Sequence, residues 1–505
     1  MKKAVNDVII LEGMPETDDR IGKLATKLSE RRDAVPFALL DCHDESIQKS
    51  GQILIEAGQM LILHRRDETL TQPARREANF VADLADGPVK RALNGTSPLR
   101  SLLVVGSGTL SHSQIALIDD EGKTHARADL SHLRPAGEGR DVTLASLHGL
   151  RGYDKALASL ADHLRGAEAQ GSHLLGDLVG MLFPKHEPYD PKPETIIAPD
   201  QGAYDAANDI IRVYLSVARQ NEAGIIADHD SEFLHDYRVA LRKIRSVISL
   251  FRGVYEVEQT EKLKARFSEL MAPTGRLRDL DVYLLGRDTY YDLLPETLHG
   301  GLALMFDIFK RERRQEHRKI ARLLESPHYR AGMAELENLF PPGSGPARGL
   351  DADHPALDYA CGLIWKRYRK VCKIAAAIDD ETPDEEVHEL RINCKKLRYL
   401  MELFAPLFPR GEMKAILTPL KELQENLGLF NDYSVQQGSL QYFLSHHPSK
   451  GERDERVMAT SIGALIALLH QRQMQERARV VSSFAHFDSP AIRRQFLTLF
   501  RGKGA

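Results

Sequence analysis

Short apolar runs bounded by Gly, Asp or Pro recur early in the chain, at Asp7 to Leu11, Phe37 to Asp41, Met60 to Leu63 and Ile115 to Ile118. Their length and flanks predict strands, and Asp120, Glu121 and Gly122 read as a hairpin turn. Ser101 to Ile118 carries no charge, but its Ser, Gly, Thr, His and Gln suit a pair of strands around a turn better than a membrane span. From 152 to 182 the apolar period changes, with Leu157, Leu160 and Leu164 at spacings of three and four, which predicts helix. The front domain, residues 1–183, is therefore expected to be α+β. Residues 184–202 hold five prolines and read as a linker. Residues 203–505 have helical patterning, divided by the Pro- and Gly-rich stretch Pro341 to Pro355 into halves of about 203–340 and 356–505.

The two halves repeat one unit at an offset of 153 residues. The segment His235 to Phe251 aligns with His388 to Phe404 without a gap, and at the same offset Gly275, Asp279 and Val282 meet Gly428, Asp432 and Val435. Upstream, Ala203 and Asp205 meet Ala356 and Asp358. One offset serving three separated segments argues for duplication.

In the first copy Arg238, Arg242 and Arg245 fall within about 80° of His235 on a helical wheel, while Tyr237, Leu241, Ile244, Val247, Ile248 and Phe251 take the other face. The second copy repeats this with His388, Arg391, Lys395 and Arg398 against Leu390, Leu397, Leu400, Met401 and Phe404. Its start, Thr382-Pro-Asp-Glu385, has the spacing of a capping box with proline at the first helical position.

Overall charge conceals this patterning. The chain carries 68 Lys+Arg and 72 Asp+Glu over 505 residues, yet residues 1–200 hold 24 basic and 30 acidic side chains, net −6, which leaves +2 beyond them. From Arg238 through Arg252 there are five cations and no acid, and from Arg391 through Arg398 four and none. A solvated face mixes both signs, and like charges three or four apart repel by a few tenths of a kcal/mol. A bound polyanion would offset that cost. Arginine suits phosphate because its planar guanidinium donates two parallel hydrogen bonds and stays charged. Four stripe residues over ten positions cover ~15 Å of helix, enough for a run of phosphates, and two such helices would line a shared groove.

Neither histidine has metal-ligand partners at suitable spacing, so no metal site is expected. A structural hydrogen bond, or donation to the anion, suits them better. The run Lys310 to Arg322 includes two glutamates and reads as an exposed charged helix, whereas Lys366, Arg369, Lys370 and Lys373 share a face that would extend the groove. The four cysteines, 42, 361, 372 and 394, lack CxxC spacing and fit a reducing cytoplasm. Asp7 and Glu12 interrupt the N-terminal apolar run before it reaches signal-peptide length.

The paired His-x-x-Arg-x-x-x-(Arg/Lys)-Lys-x-Arg helices, each followed by a Gly and Asp segment (Gly275 to Val282; Gly428 to Val435), resemble the CHAD family, the conserved histidine α-helical domain, over roughly residues 200–505. The resemblance implies an all-α pair of pseudo-symmetric antiparallel helical bundles whose basic surface binds inorganic polyphosphate and places the protein on polyphosphate granules, with no catalytic centre and no cofactor. By residue, binding falls on His235, Arg238, Arg242, Lys243 and Arg245, and on His388, Arg391, Lys395, Lys396 and Arg398. Arg252, Arg278, Lys366, Arg369 and Lys373 are secondary candidates. The second copy departs at Asn431, where the first has Arg278.

The front domain resembles a degenerate CYTH domain, a triphosphate-tunnel barrel, through Phe37 to Asp44 and Leu54 to Arg66. That family's Glu-x-Glu-x-Lys strand here reads Val8-Ile-Ile-Leu-Glu-Gly-Met14, leaving Glu12 alone, so divalent-ion binding and tunnel hydrolysis are not expected. The leading expectation is a cytoplasmic, non-catalytic polyphosphate binder with no membrane association, its partners polyphosphate and polyphosphate-metabolising proteins. One alternative is an inorganic triphosphatase or polyphosphatase using Glu12, Arg65, Arg66, Asp119 and Glu121. The other is RNA or other nucleic-acid binding, disfavoured because no aromatic residue interleaves the stripe for base stacking.

Overall fold

The computed structural model describes residues 8–15, 18–29, 33–66, 68–76, 78–166, 175–379, 381–447 and 451–501. The chain separates into two compact units, Met1–Asp190 and Pro191–Ala505.

The front unit is a curled antiparallel sheet with ten strands among the described residues: β1 (Val8–Glu12), β2 (Arg20–Ile21), β3 (Leu24–Leu28), β4 (Val35–Asp41), β5 (Ile53–Ala57), β6 (Met60–His64), β7 (Thr69–Pro73), β8 (Leu103–Ile118), β9 (Thr124–Pro135) and β10 (Val142–Gly149). The main path runs β1-β10-β9-β8-β4-β5-β6-β7, and the β2-β3 hairpin joins at β8. The ends of this path approach each other, because the Val8 amide donates to the Arg66 carbonyl at 3.2 Å and Thr69 Oγ1 lies 3.1 Å from Ser146 Oγ. Among the described residues four α-helices accompany the sheet: α1 (Ser46–Lys49), α2 (Pro88–Ala92), α3 (Asp154–Gly166) and α4 (Leu178–Leu182).

The expected strands are present, although Asp7 lies outside the described residues. Two expectations need correction. Residues 103–118 form one 16-residue strand and not a hairpin. Its glycines serve close approach instead of a turn: a Cβ on Gly106 would sit 2.3 Å from the Phe183 ring, and one on Gly108 2.0 Å from the Arg134 carbonyl oxygen. The helix expected over 152–182 is α3 and, beyond residues 167–174, which lie outside the described residues, a 3-10 turn leading into α4. The two helices serve different cores. Leu157, Leu160 and Leu164 of α3 pack on Ile115, Leu117 and Leu130, whereas Leu178, Val179 and Leu182 of α4 pack on Phe37, Leu39, Ile55 and Leu144.

The second unit is helical: α5 (Ala203–Ala227), α6 (Ser231–Leu250), α7 (Val257–Met271), α8 (Gly275–Leu285), α9 (Arg287–Leu293), α10 (His299–Glu325), α11 (Pro327–Leu339), α12 (Ala356–Ala375), α13 (Asp384–Leu403), α14 (Arg410–His446), α15 (Glu452–Phe487) and α16 (Pro490–Phe500). Repeat offsets reappear as structure. Helices α6 and α13 are both 20 residues long with bounds 153 apart, and the starts of α5 and α12 are 153 apart. At those starts the Ala203 amide donates to the His354 carbonyl at 2.9 Å, and the Ala356 amide donates to the Gln201 carbonyl at 2.8 Å. Phe251 and Phe404, the same position in the two copies, stack with ring centroids 4.6 Å apart.

The halves share packing. One cluster takes Leu280, Tyr283 and Phe306 from the first half and Leu440, Phe443 and Leu465 from the second. Where α5 meets α6 the helices approach closely at Gly224, on which a Cβ would sit 2.1 Å from the Phe233 ring. Gly224→Ala is expected to destabilise the protein by about 1–3 kcal/mol through overpacking, despite alanine's better helix propensity. Urea unfolding checks the sign.

Asp230 caps α6 by accepting from the amides of Glu232 (2.9 Å) and Phe233 (3.3 Å). The capping box expected at Thr382 does not form. The Thr382 hydroxyl instead closes the preceding turn, accepting from the Asp379 amide at 2.8 Å, and Pro383 takes the N-cap position without a side-chain bond. Among the described residues no helix is long and apolar enough to cross a membrane.

Candidate functional site

The apolar faces predicted from the wheel bury Tyr237, Leu241, Ile244, Leu397, Leu400 and Met401, so each stripe is turned away from its own core. Helices α6 and α13 touch, and their stripes meet. Arg242, Arg245, Ser246, Arg391, Lys395, Lys396 and Tyr399 line a groove of about 270 Å3 that, among the described residues, has five cations and no carboxylate in its wall. A larger cleft of about 850 Å3 shares Arg242 and Tyr399 and adds His235, Lys243 and Arg398, with Glu402 among its acids.

Burial and, after it, the crowding of like charge disfavour the charged forms of these side chains. Burial, then the neighbouring Arg242, Arg391 and Arg398, push the Lys395 amine down to about 8. Burial and the nearby Arg278 also hold Arg242 below its ordinary range, while the Tyr399 phenol accepts from it and opposes the shift. Lys396 is lowered by burial and by Arg367, Lys370 and Arg252.

The remaining predicted residues divide between structural and peripheral positions. Arg238 lies outside both depressions, where Nη1 donates to Thr274 Oγ1 at 2.5 Å and to the Met271 carbonyl at 3.3 Å, bracing the end of α7. His388 Nδ1 bonds Asn431 Oδ1 at 2.7 Å. The residue that departs from the first copy is thus the histidine's partner. Arg278, at Asn431's equivalent position, faces Glu232 at 3.8 Å. Lys366, Arg369, Lys373 and Arg252 are exposed, whereas Arg367, not singled out in the sequence, turns inward to donate to Asn393 at 2.8 Å. Within the charged run of α10, Arg311 and Arg314 are exposed, but Arg313 is not: it bonds Asp281 and Asp228 at 2.7 Å each.

Sequence reading also missed Tyr399. The expectation that no aromatic interleaves the stripe fails here, because Tyr399 lies one residue beyond Arg398 and α6 closes over it. Its ring has Lys243 Nζ at 5.5 Å, Lys395 Nζ at 5.7 Å and the Arg398 guanidinium at 5.6 Å. The equivalent first-copy residue, Ser246, gave no signal. Glu402 was also missed, and it is the cleft's main internal counter-charge, with Lys243 at 3.0 Å, Arg398 at 3.6 Å and Lys421 at 3.9 Å. Glu402→Gln should therefore raise affinity for a polyanion several-fold and steepen its salt dependence, since three cations lose a competing partner. Calorimetric titration at two salt concentrations tests this.

In the front unit the residues of the enzymatic alternative are dispersed. Glu12, at the end of β1, pairs with exposed Arg140 at 3.1 Å. Arg65 pairs with Glu68 at 2.7 Å beyond β6, near Val8 and so about 13 Å along β1 from Glu12. Asp119 pairs with His125 at 2.8 Å in the β8-β9 turn, where Glu121 is exposed. One end of the sheet's interior is filled by Ile10, Phe37, Leu39, Ile55, Leu133 and Leu144. The other holds a cleft of about 610 Å3 lined by His64, His112, His148, Asp129 and hydroxyl side chains, with no Lys or Arg in its wall among the described residues.

The family model for the CHAD domain matches residues 209–441. Among solved structures, the crystal structure of the CHAD domain from the plant Ricinus communis aligns at 23% identity and a TM-score of 0.49, covering 60% of this chain and 97% of that one. PptA from Streptomyces chartreusis aligns at 14% identity and a TM-score of 0.43, covering 56% and 99%. No curated protein matches the sequence. With the family model spanning both stripe helices and the groove between them, residues 209–441 are a CHAD domain.

Proposed function

We propose that the helical unit binds inorganic polyphosphate, without catalysis, in the groove between α6 and α13. The observation that carries this is the wall of Arg242, Arg245, Arg391, Lys395 and Lys396 with no carboxylate among them. Such a wall costs stability when empty; Asp432, 3.7 Å from Arg391, offsets part of that cost, and a dense anion would offset the rest. A linear chain of phosphates can run from this groove past Tyr399 and Arg242 into the larger cleft, where His235, Lys243 and Arg398 add donors. The two halves are proposed to be related by a pseudo-twofold, a reading supported by the reciprocal Ala203 and Ala356 amide bonds and the Phe251–Phe404 stack. Association with polyphosphate granules and with polyphosphate-metabolising proteins in the cytoplasm belongs to the same proposal.

The front unit is proposed to be a CYTH-like sheet retained as scaffold. The apolar filling of one end, and a cleft at the other that no Lys or Arg lines among the described residues, support this over a triphosphatase. Titration of the full chain with long-chain polyphosphate, with RNA as competitor, tests binding. Phosphate release from tripolyphosphate with magnesium or manganese tests the enzymatic alternative. Polyphosphate binding that RNA does not displace, with no phosphate release, is expected. No polyphosphate binding at low salt overturns the proposal.

A further inference from the structure

The groove's wall holds two lysines, exposed Lys396 and half-buried Lys395, and neither makes an ion pair among the described residues. Lys243, by contrast, is neutralised by Glu402 at 3.0 Å and Lys370 by Glu389 at 3.2 Å. The Lys395 amine lies over the Tyr399 ring instead. The groups facing it are Arg391, Lys396 and Arg398 on its own helix, Arg242 and Arg245 from α6, and Asp432 of α14, the one acid in the set. This is the surrounding that favours a neutral, nucleophilic amine, and here the amine is held down to about 8.

We infer that Lys395 is a modification site, acylated by a small acyl phosphate whose phosphate docks on Arg242 and Arg391. This rests on the reading of the groove as a phosphate site and adds a reaction to it. The groove of about 270 Å3 is large enough for such a molecule. The same cations that lower the lysine's proton affinity bind the leaving group, so nucleophile and electrophile are brought together by one feature. In the step, the unprotonated Nζ attacks the acyl carbon and a C–N bond forms. The bond between that carbon and the phosphate oxygen breaks, its electron pair leaves with inorganic phosphate, and the displaced amine proton passes to that phosphate. No oxidant or metal is needed. The product amide carries no charge, so acylation removes a cation from the middle of the groove and weakens polyphosphate binding.

The test is acetylation of the full chain by acetyl phosphate near pH 7.5, read by mass spectrometry of peptides containing Lys395, exposed Lys414 and ion-paired Lys262. Acetic anhydride, which has no phosphate to dock, serves as a second reagent, and polyphosphate binding is measured on the same protein. Lys395 is expected to react roughly tenfold or more faster than Lys414 with acetyl phosphate. The preference should be smaller with acetic anhydride and be lost when long-chain polyphosphate fills the groove. A protein that binds polyphosphate but acetylates Lys395 no faster than Lys414 overturns the inference and leaves the proposed function standing. Fast acetylation of Lys395 without polyphosphate binding supports the inference and removes the proposed function.

Discussion

Arg313→Ala is expected to destabilise the helical unit by about 3 kcal/mol, the cost of leaving the buried Asp281 carboxylate without its charged partner. The guanidinium bonds Asp281 through Nε at 2.7 Å and Asp228 through both terminal nitrogens at 2.7 Å each. Asp281 is 3% exposed, and its second carboxylate oxygen already lacks a partner. Burial holds the Asp281 carboxyl above its ordinary range even with the arginine present, so without Arg313 it must take a proton or draw in water. Asp228 adds a geometric consequence. It closes α5 in the left-handed conformation at φ 55°, and Arg313 holds that closure against α8 and α10. Urea unfolding should show the midpoint fall sharply, whereas Arg311→Ala, in the same run but exposed, should leave it within about 0.5 kcal/mol. A loss below 1 kcal/mol for Arg313→Ala would mean that the pair does not hold these helices.

Neutralising the groove should move stability and affinity in opposite directions. For Arg242→Gln with Lys395→Gln, removing two crowded and partly buried cations is expected to stabilise the unliganded protein by about 1 kcal/mol, or 2–4 °C in Tm. Affinity for polyphosphate should fall roughly 100-fold or more, since a hydrogen bond to a charged group contributes about 1.5–3 kcal/mol. The pH dependence separates the lysine's share. Its folded-state pKa of about 8 lies below the ordinary 10.5, so between those values the unfolded chain binds more protons than the folded one. The lysine's penalty is complete below pH 8 and relieved as pH rises toward 10.5. Wild-type stability should therefore gain on that of Lys395→Gln across this window. Proton uptake should accompany polyphosphate binding near pH 8, because the anion restores the charged amine. Thermal melts and titrations in buffers of different ionisation enthalpy check both.

The stripes were legible in the sequence because they depend on one variable, the angle around a helix. The same arithmetic that buries Ile244 and Leu397 turns Arg242 and Lys395 outward, and the 153-residue offset reappears in the bounds of α6 and α13. What depends on how one element crosses another was not legible. Tyr399 and Glu402 acquire their meaning from α6 closing against α13, and Arg313 reads as one more surface cation until α8 brings Asp281 to it. The strand β8 was misread in the same way. The stretch Ser101 to Ile118 read as two strands around a turn, but β8 runs through it, and Phe183 and the Arg134 carbonyl occupy the space that a side chain at Gly106 or Gly108 would need. Thr382 shows the local limit: the capping-box spacing was present, yet the hydroxyl found a nearer amide at Asp379.

If the two repeat copies build one phosphate groove, the position of a cation counts for more than total charge. The most direct test compares Arg242→Gln with Lys395→Gln against Arg311→Gln with Arg314→Gln, two double variants of equal net charge, in polyphosphate titrations over a range of salt. Arg311 and Arg314 are exposed and bond their own helix carbonyls, so their loss leaves packing intact. The groove variant should lose affinity far more than the α10 variant. Its slope of log affinity against log salt should be shallower by roughly 0.7–0.9 per lost contact, as for nucleic-acid phosphates. Equal losses and equal slopes in the two folded variants would mean that binding follows diffuse charge, and would contradict the groove.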